Sequence, residues 1–226
     1  MQFGALGDIH GDFESAGRIV ARHADVPFWL CVGDVADEEG RYQGLGSRVY
    51  WIKGNNENFD AIAARDFPES LHFLDNGQMT TIDGLRVAGL GGTFAPTWYE
   101  TPAAALPHPV KGTARATALA DKRRHFVREE VERLARMSGI DVLLTHEAAR
   151  PYRVGGRGPD AGKTPINEVL AAARPRLHLF GHHHAFTDQE RQGVRSIGLD
   201  LVSQSYLLVD AATLAVEVVD ARLAKG

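Results

Sequence analysis

The chain has 226 residues, of which 44% are hydrophobic, and 25 basic against 29 acidic side chains give a net charge of −4. This composition provides a hydrophobic core, and it excludes a wholly disordered chain and a generally basic nucleic-acid coat. The one cysteine, Cys31, cannot form an internal disulfide, and no apolar run approaches the roughly 20 residues that span a bilayer. We therefore expect a cytoplasmic protein with one domain over residues 1–226, without membrane association or an obligate protein partner.

The first predicted elements alternate between strands and a helix. Residues 2–7 form a short apolar run that ends in glycine, which predicts a buried strand. Asp12 can cap a helix that begins at residue 13. The apolar face of this helix is predicted to consist of Phe13, Ala16, Gly17, Val20 and Ala24. Two further buried strands are predicted over residues 28–32 and 49–52, each stopped by a glycine.

The middle and the end of the chain are predicted to contain more strands than helices. Asp83-Gly84 is a strong turn signal that joins strands over residues 78–82 and 85–90 into a hairpin. The remaining predicted elements are a helix over 121–137, a strand over 141–145, a helix from Thr164 that ends before Pro175, and strands over 176–180, 194–199, 206–209 and 214–219. The last three strands are expected to form an antiparallel meander. This order of elements predicts an α/β sandwich with two sheets between helices.

Two long loops fall outside these elements, and such loops are often functional. The loop over residues 93–117, with Trp98 and Tyr99, is interpreted as a lid, a base-stacking surface, a dimer contact or a packed loop. The loop over residues 147–163 contains Arg150, Arg153 and Arg157. Guanidinium groups match phosphate oxygens bidentately, so these arginines are candidates for binding a substrate phosphate, with a solvated flexible loop as the alternative.

Side chains that can bind metal follow the predicted strands, at the edge where open α/β sheets place their sites. They are Asp8, His10, Asp34, Asn55, His146, His182 and His184. Carboxylates and imidazoles without a thiolate suit Mn, Fe or Zn, and these ligands are too many for one tetrahedral zinc ion. They suit two divalent ions about 3.5–4 Å apart that share a carboxylate. Because the charge of two such ions exceeds that of the carboxylates, the site is expected to bind an anion, and phosphate esters are the obvious class.

Five segments, each after a predicted strand, resemble in order the motifs of the calcineurin-like metallophosphoesterases. They are Gly7-Asp8-Ile9-His10-Gly11, Gly33-Asp34-Val35-Ala36-Asp37, Gly54-Asn55-Asn56-Glu57, Thr145-His146-Glu147 and Gly181-His182-His183-His184. The resemblance implies a four-layer αββα sandwich with two mixed β-sheets. It also implies a metal-dependent phosphoric ester hydrolase, in which a hydroxide that bridges two ions attacks phosphorus in line. The implied metals are Mn²⁺ first, then Fe or Zn²⁺.

By position, the resemblance also implies which residues bind each ion. One ion would be bound by Asp8, His10, Asp34 and His184. The other would be bound by Asp34, Asn55, His146 and His182, so that Asp34 bridges the two. The candidate catalytic residues are Asp34, Asn56 and His183, and the candidate substrate-binding residues are Asn55, Arg150, Arg153 and Arg157.

Two positions depart from the patterns of related enzymes. Many members of the family have a histidine at the position of Asn56, thought to protonate the leaving oxygen, and an amide cannot donate that proton. Another group such as His183 or metal-bound water would then serve, the leaving group would be a good one, or activity would be weak. Asp37-Glu38-Glu39-Gly40 lacks the arginine that Ser/Thr protein phosphatases have at this place.

We therefore expect a phosphodiesterase, and a nucleotide or oligonucleotide is one candidate for its substrate. One alternative is a catalytically weak, metal-dependent module that binds phosphate or a nucleotide. The other is a Ser/Thr protein phosphatase-like monoesterase. Near the motifs, Asp37 and Glu57 are interpreted either as partners that orient metal ligands or as solvated loop acids. His178 belongs to no group of ligands and is expected to be a surface or core histidine.

Overall fold

The computed structural model describes residues 1–109 and 120–224. In these residues the elements are, in chain order, β1 (Gln2–Leu6), α1 (Phe13–Arg22), β2 (Phe28–Cys31), β3 (Arg48–Trp51), α2 (Phe59–Ala64), β4 (Leu71–Phe73), β5 (Met79–Ile82), β6 (Leu85–Leu90), β7 (Thr93–Phe94), β8 (His125–Phe126), α3 (Arg128–Ala135), β9 (Val142–Thr145), α4 (Thr164–Ala173), β10 (Leu177–Phe180), β11 (Thr187–Arg191), β12 (Val194–Gly198), β13 (Ser205–Asp210) and β14 (Val216–Asp220). Short 3₁₀ turns lie at Ala103–Ala105, Lys122–Arg124, Val154–Gly156 and Ala221–Ala224. None of the helices in the described ranges has both the length and the apolar character needed to cross a bilayer.

The strands form two six-stranded mixed sheets and one small pair, β7 with β8. The first sheet has the order β14-β13-β1-β2-β3-β4, in which β1 to β4 are parallel and β13 is antiparallel to both of its neighbours. The second sheet has the order β11-β12-β10-β9-β6-β5. Its four inner strands are parallel, and its outer strands β11 and β5 are antiparallel to their neighbours.

Successive strand residues point to opposite faces of a sheet, and here both faces are buried. In β2, Leu30 lies in the core between the two sheets, whereas Trp29 packs with residues of α1. In β9, Leu144 lies in the same central core, whereas Leu143 packs with residues of α3 and α4. The layers are therefore helix, sheet, sheet and helix, which confirms the predicted αββα sandwich.

Two local predictions that rested on cap and turn chemistry, at Asp12 and at Asp83-Gly84, are confirmed. The Asp12 carboxylate accepts a hydrogen bond from the backbone N–H of Ser15 at 3.0 Å, which caps α1. β5 and β6 form the predicted hairpin, and Asp83 (φ 47°) and Gly84 (φ 90°) adopt the left-handed backbone that its turn requires. The predicted face of α1 needs correction, because the helix ends at Arg22 and buries Ile19 in place of Gly17 and Ala24.

The predicted helix over 121–137 is wrong in its first half. The ammonium group of Lys53 accounts for this, since it donates to the carbonyls of Arg123 at 2.7 Å and His125 at 2.9 Å. These bonds hold the two carbonyls toward Lys53, and the backbone at His125 pairs with β7 instead of continuing a helix. The helix begins only after Val127, whose backbone N–H donates to the carboxylate of Glu130 at 3.0 Å.

The predicted antiparallel meander at the C-terminal end is also wrong. β12 pairs in parallel with β10 in the second sheet, and the chain then crosses to the first sheet, where β13 and β14 are antiparallel. The sequence patterns also missed β4 and α2, which are very short, and β11, whose residues Thr187–Arg191 are all polar. An all-polar segment forms a strand here because it pairs along the edge of a sheet that is already built.

The described part of the loop over 93–117 packs against the protein. Tyr99 is buried, and its ring contacts Phe94 and Phe126 with centroid distances of 5.1 and 6.4 Å. The ammonium of Lys122 lies 5.9 Å from the centre of the Trp98 ring. Among the interpretations of this loop, the packed loop agrees with these contacts, while residues 110–117 lie outside the described residues.

Candidate metal centre

The loops that follow β1, β2 and β3 of the first sheet meet those that follow β9 and β10 of the second. Backbone hydrogen bonds connect the loops directly: the N–H of His10 donates to the Asp34 carbonyl at 2.7 Å, and the N–H of Gly181 to the His146 carbonyl at 3.1 Å. Between the sheets, the N–H of His182 donates to Asp8 Oδ2 at 2.9 Å. The predicted ligands of both sheets therefore share one edge of the sandwich.

The backbone at this edge is strained in a way that functional sites often show. His10 (φ 48°), Asp34 (φ 50°), His182 (φ 68°) and His184 (φ 47°) all have the left-handed conformation that non-glycine residues rarely adopt. Packing around them leaves no space for a side chain at Gly54 in the loop after β3, since a Cβ there would lie 1.9 Å from Asp34 Oδ1. The surrounding structure thus holds the ligand residues in conformations that they would not adopt alone.

Asp8, His10 and His184 form the first group of ligand atoms. Asp8 Oδ2 lies 3.1 Å from His184 Nε2, and His184 Nε2 lies 3.1 Å from His10 Nε2. Asp8 is only 1% exposed, whereas both histidines are partly open to solvent. These atoms are close enough to one another to bind a common cation.

Asp34 and His146 belong to the second group, which also takes in Asp8. Asp34 Oδ2 lies 3.6 Å from His10 Nε2 and 3.6 Å from His146 Nε2, so this oxygen stands between the two groups. His146 Nε2 in turn lies 3.1 Å from Asn55 Oδ1 and 3.2 Å from Nδ1 of His182. The structure therefore brings all seven predicted metal ligands together.

The donor chemistry of this cluster fits a cation. His146 is fully buried, and its Nδ1 lies 2.9 Å from the Val32 carbonyl, an acceptor that requires a proton on Nδ1. Burial by itself would lower the pKa of His146, but the Asp34 and Asp8 carboxylates raise it. A cation at Nε2 would replace the proton that faces the oxygens of Asp34 and Asn55. Asp8 Oδ1 is also buried without a hydrogen-bond partner among the described residues. Two divalent ions would satisfy these atoms.

The electrostatics of the cluster agree with this assignment. Burial by itself would raise the pKa of Asp34, but His146 and the backbone N–H of Asn56 outweigh it and lower that pKa below its ordinary value. Burial lowers the pKa of His182 to about 3, which leaves its imidazole neutral and free to bind a cation. The Asp34 carboxylate is thus ionised and the His182 ring is neutral at neutral pH, as metal ligands must be.

Glu57 orients the loop that carries Asp34. Its buried carboxylate accepts hydrogen bonds from the N–H groups of Val35 at 3.0 Å, Ala36 at 3.3 Å and Gly54 at 3.2 Å, and from the hydroxyl of Tyr42 at 3.0 Å. Of the two interpretations of Glu57, the geometry therefore favours the partner that orients a metal ligand. Asp37, by contrast, pairs with Arg41 at 2.8 Å near the surface.

A buried chain of hydrogen bonds through His178 reaches the turn at His146, and the sequence patterns did not predict it. His178 is fully buried, with Nε2 2.8 Å from the Thr145 hydroxyl and Nδ1 3.0 Å from the Ser196 hydroxyl. Thr145 donates to the carbonyl of Glu147 at 2.6 Å, so it must accept from His178. His178 and Ser196 both lie on strands with apolar neighbours, and a polar pair at such positions is the signal that could have revealed it.

The other candidate site residues lie around the cluster. Asn56 donates to Asp34 from its backbone and from its side chain. The ring of His183 stacks on Tyr152 with a centroid distance of 4.4 Å. The guanidinium of Arg150 pairs with Asp160 at 2.9 Å, that of Arg153 donates to the Gly158 carbonyl, and Arg157 is exposed.

A cavity of about 450 Å³ opens beside the cluster. His10 and Asn56 line it together with Ala36, Asp37, Glu38, Gly40 and Glu57. Three of these residues are acidic and form an acidic wall, and the arginines of the loop over 147–163 are not among the lining residues. The carboxylate of Glu38 lies on the exposed rim.

Comparisons with known proteins agree with the architecture. A family model described as calcineurin-like phosphoesterase matches residues 1–186. An uncharacterized protein of Haemophilus influenzae is 24% identical over 196 residues, which is 79% of this chain and 81% of that protein. Among solved structures, a protein of Thermus thermophilus named TT1561 (14% identical, TM-score 0.65) covers 98% of this chain and is itself covered to 99%. A dimetal phosphatase from Danio rerio (11% identical, TM-score 0.57) covers 97% of this chain and is covered to 98%.

Proposed function

Because the chain belongs to the calcineurin-like phosphoesterase family, whose members are metal-dependent phosphoester hydrolases, we propose that it is a phosphodiesterase with two divalent ions. The observation that supports this proposal best is the position of Asp34 Oδ2, 3.6 Å from His10 in the loop after β1 of the first sheet and 3.6 Å from His146 in the loop after β9 of the second. A carboxylate oxygen between two groups of nitrogen and oxygen ligands suits a shared ligand of a dinuclear centre. The ligand set suits Mn²⁺, Fe and Zn²⁺. Mn²⁺ is the first candidate that we propose.

The predicted metal ligands fall into two sets, one for each ion, with one residue in common. We assign Asp8, His10 and His184 to one ion and Asn55, His146 and His182 to the other, with Asp34 shared. When bound, the two ions supply positive charge that activates water for in-line attack on phosphorus and offsets charge on the phosphoryl oxygens. The backbone contacts among the five loops hold these ligands in place before substrate arrives, so little reorganisation is needed during the reaction.

The surroundings of the centre favour a diester over a monoester. A diester carries one negative charge and a monoester nearly two at neutral pH, so the exposed Glu38 carboxylate of the acidic wall repels the monoester more strongly, whereas Arg41 compensates Asp37. The same wall makes a polyanionic oligonucleotide a poorer fit than a small diester. The side chain at position 56 is an amide and cannot protonate a leaving group, which favours esters of acidic alcohols such as phenols. The arginines of the loop over 147–163 remain candidates for contacting the far end of a substrate.

Hydrolysis of bis-p-nitrophenyl phosphate tests the proposal. The purified protein is stripped of metal, reconstituted with Mn²⁺, Fe²⁺ or Zn²⁺, and compared on this diester and on p-nitrophenyl phosphate at equal concentrations. We expect kcat/KM for the diester to exceed that for the monoester, and we expect turnover to disappear in Asp34→Asn. Preference for the monoester would contradict the diesterase. Tight binding of nucleotides without turnover would instead support a binding module. This module is the second candidate because the amide at position 56 cannot protonate a leaving group.

A further inference from the structure

Asn56 contacts both oxygens of the carboxylate at the centre of the cluster. Its backbone N–H donates to Asp34 Oδ1 at 2.8 Å, and its side-chain Nδ2 donates to Asp34 Oδ2 at 3.0 Å. Oδ2 is the oxygen that lies 3.6 Å from both His10 Nε2 and His146 Nε2. One residue therefore occupies one acceptor direction on each oxygen of the proposed bridging ligand.

We propose that Asn56 is a positioning residue, which holds the Asp34 carboxylate in the one plane that lets Oδ2 serve both groups of ligands. The effect on catalysis rests on the proposed function, whereas the effect on metal binding does not. This role differs from that of the family's histidine at this position, which is thought to protonate the leaving oxygen.

Three physical features support the assignment. An ionised carboxylate has about four lone-pair directions, so two bonds from Asn56 still leave electron pairs on both oxygens for cations. Hydrogen bonds to an ionised group are about twice as strong as neutral ones, and a pair of them fixes the rotation of the carboxylate as well as its position. The backbone of Asp34 is strained, with a φ of 50°. The hydrogen bonds from Asn56 add a constraint on its side chain.

The amide is suited to this task because it does not titrate. An asparagine N–H donates at every working pH, whereas an imidazole at the same place would change its proton count near neutrality. Both hydrogen bonds come from a single residue on the loop after β3, adjacent in sequence to the ligand Asn55. Asn56 therefore couples the geometry of the ligand that follows β2 to that of the ligand that follows β3.

The test compares Mn²⁺ binding by calorimetry in protein stripped of metal. Asn56→Ala and Asn56→Leu both remove the side-chain donor, and Leu keeps the branched shape. Asn58→Ala is the matched control, since Asn58 lies two residues away and caps α2 by accepting from the N–H of Ala61 at 3.0 Å. We expect both Asn56 variants to bind Mn²⁺ about 10–100-fold more weakly, and the control to stay within about twofold of the wild type.

A second measurement separates positioning of Asp34 from direct contact of Asn56 with the leaving group. If Asn56 positions Asp34, its loss lowers kcat/KM by the same factor for aryl and alkyl diesters. Mn²⁺ affinity within about twofold of the wild type in both Asn56 variants would overturn the proposal, as would a loss confined to alkyl diesters at unchanged affinity. If the wild type hydrolyses no diester, the proposed function fails, and the affinity measurements alone still decide the role of Asn56.

Discussion

Strand β9 connects two buried aspartate sites that differ in how their charge is compensated. At its amino end, Asp141 is 7% exposed and lies between two guanidinium groups, with Arg86 Nε at 3.1 Å and a terminal nitrogen of Arg176 at 3.3 Å. The backbone N–H of Arg86 adds a third hydrogen bond at 3.0 Å. This carboxylate has its counter-charges within the chain.

The carboxyl end of the same strand leads to His146, which lies in one group with Asp8 and Asp34, and these two carboxylates are each 1% exposed. Among the described residues, the ion-pair partners of these two carboxylates are the imidazoles of His10, His146 and His184. Buried carboxylates without a fixed cation are costly, because removing a charge from water is repaid only by a strong partner. The comparison indicates that burial of the same residue type gives a structural ion cluster at one end and the proposed metal site at the other.

Removing one carboxylate at each end of β9 should affect metal content and activity differently. We expect Asp34→Asn to lose bound metal and to lower kcat/KM by about 10³-fold or more, because a shared ligand supports several kcal/mol of charge stabilisation. Asp141→Asn, in contrast, should retain metal and activity. Metal analysis and diester hydrolysis of the two variants check this, and loss of metal from Asp141→Asn would break the comparison.

Added metal should stabilise the protein only through the Asp34 end. At a Mn²⁺ concentration 100 times the Kd, ligand binding adds about 2.7 kcal/mol to the free energy of unfolding. We expect this gain in the wild type and in Asp141→Asn, but not in Asp34→Asn. Thermal unfolding with and without Mn²⁺ measures it, and an equal gain in all three proteins would mean that metal binds elsewhere.

The Asp141 end should show its role in stability and in the pH dependence of stability. Burial by itself would raise the pKa of Asp141, but Arg86 and Arg176 outweigh it and lower that pKa below 3.8. The two guanidinium groups are 45% and 48% exposed, so we expect Asp141→Asn to cost about 1–3 kcal/mol of unfolding free energy near neutral pH.

The sign of the pH effect follows from the lowered pKa. A carboxyl group with a depressed pKa in the folded state stabilises the protein above its unfolded pKa, about 3.9, and loses this contribution as pH falls through the folded pKa. The difference in unfolding free energy between wild type and Asp141→Asn should therefore be constant above about pH 5 and shrink below about pH 4. Denaturant unfolding at several pH values measures the difference, and a gap that widens in acid would contradict the assignment.

The smallest expected effect concerns the basic loop beyond the metal end. Arg150 is engaged with Asp160, whereas Arg157 is exposed and open to a substrate. We expect Arg157→Ala to raise KM for a diester about 2–5-fold at unchanged metal content, as the loss of a rim charge does. Arg150→Ala is the comparison variant, and KM values equal to the wild type in Arg157→Ala would identify the loop as a solvated segment.

Much of the fold followed from local chemistry. Apolar runs that end in glycine located the central strands, Asp12 located the start of α1, and Asp83-Gly84 located a hairpin. Errors arose where a partner distant in sequence decided the outcome. Lys53 draws the carbonyls of Arg123 and His125 away from a helix, and β11 forms only because β12 offers an edge.

By itself, the sequence determined which residues could bind metal and the order of their motifs, because ligand chemistry and strand ends are local properties. Only the tertiary structure decided how these residues act together. It placed Asp34 Oδ2 between imidazoles from two sheets, turned Asn56 onto that carboxylate, and set the acidic wall of the cavity beside it. The physical reason is that distances between loops from different sheets depend on how the sheets pack, and a one-dimensional pattern carries no such distance.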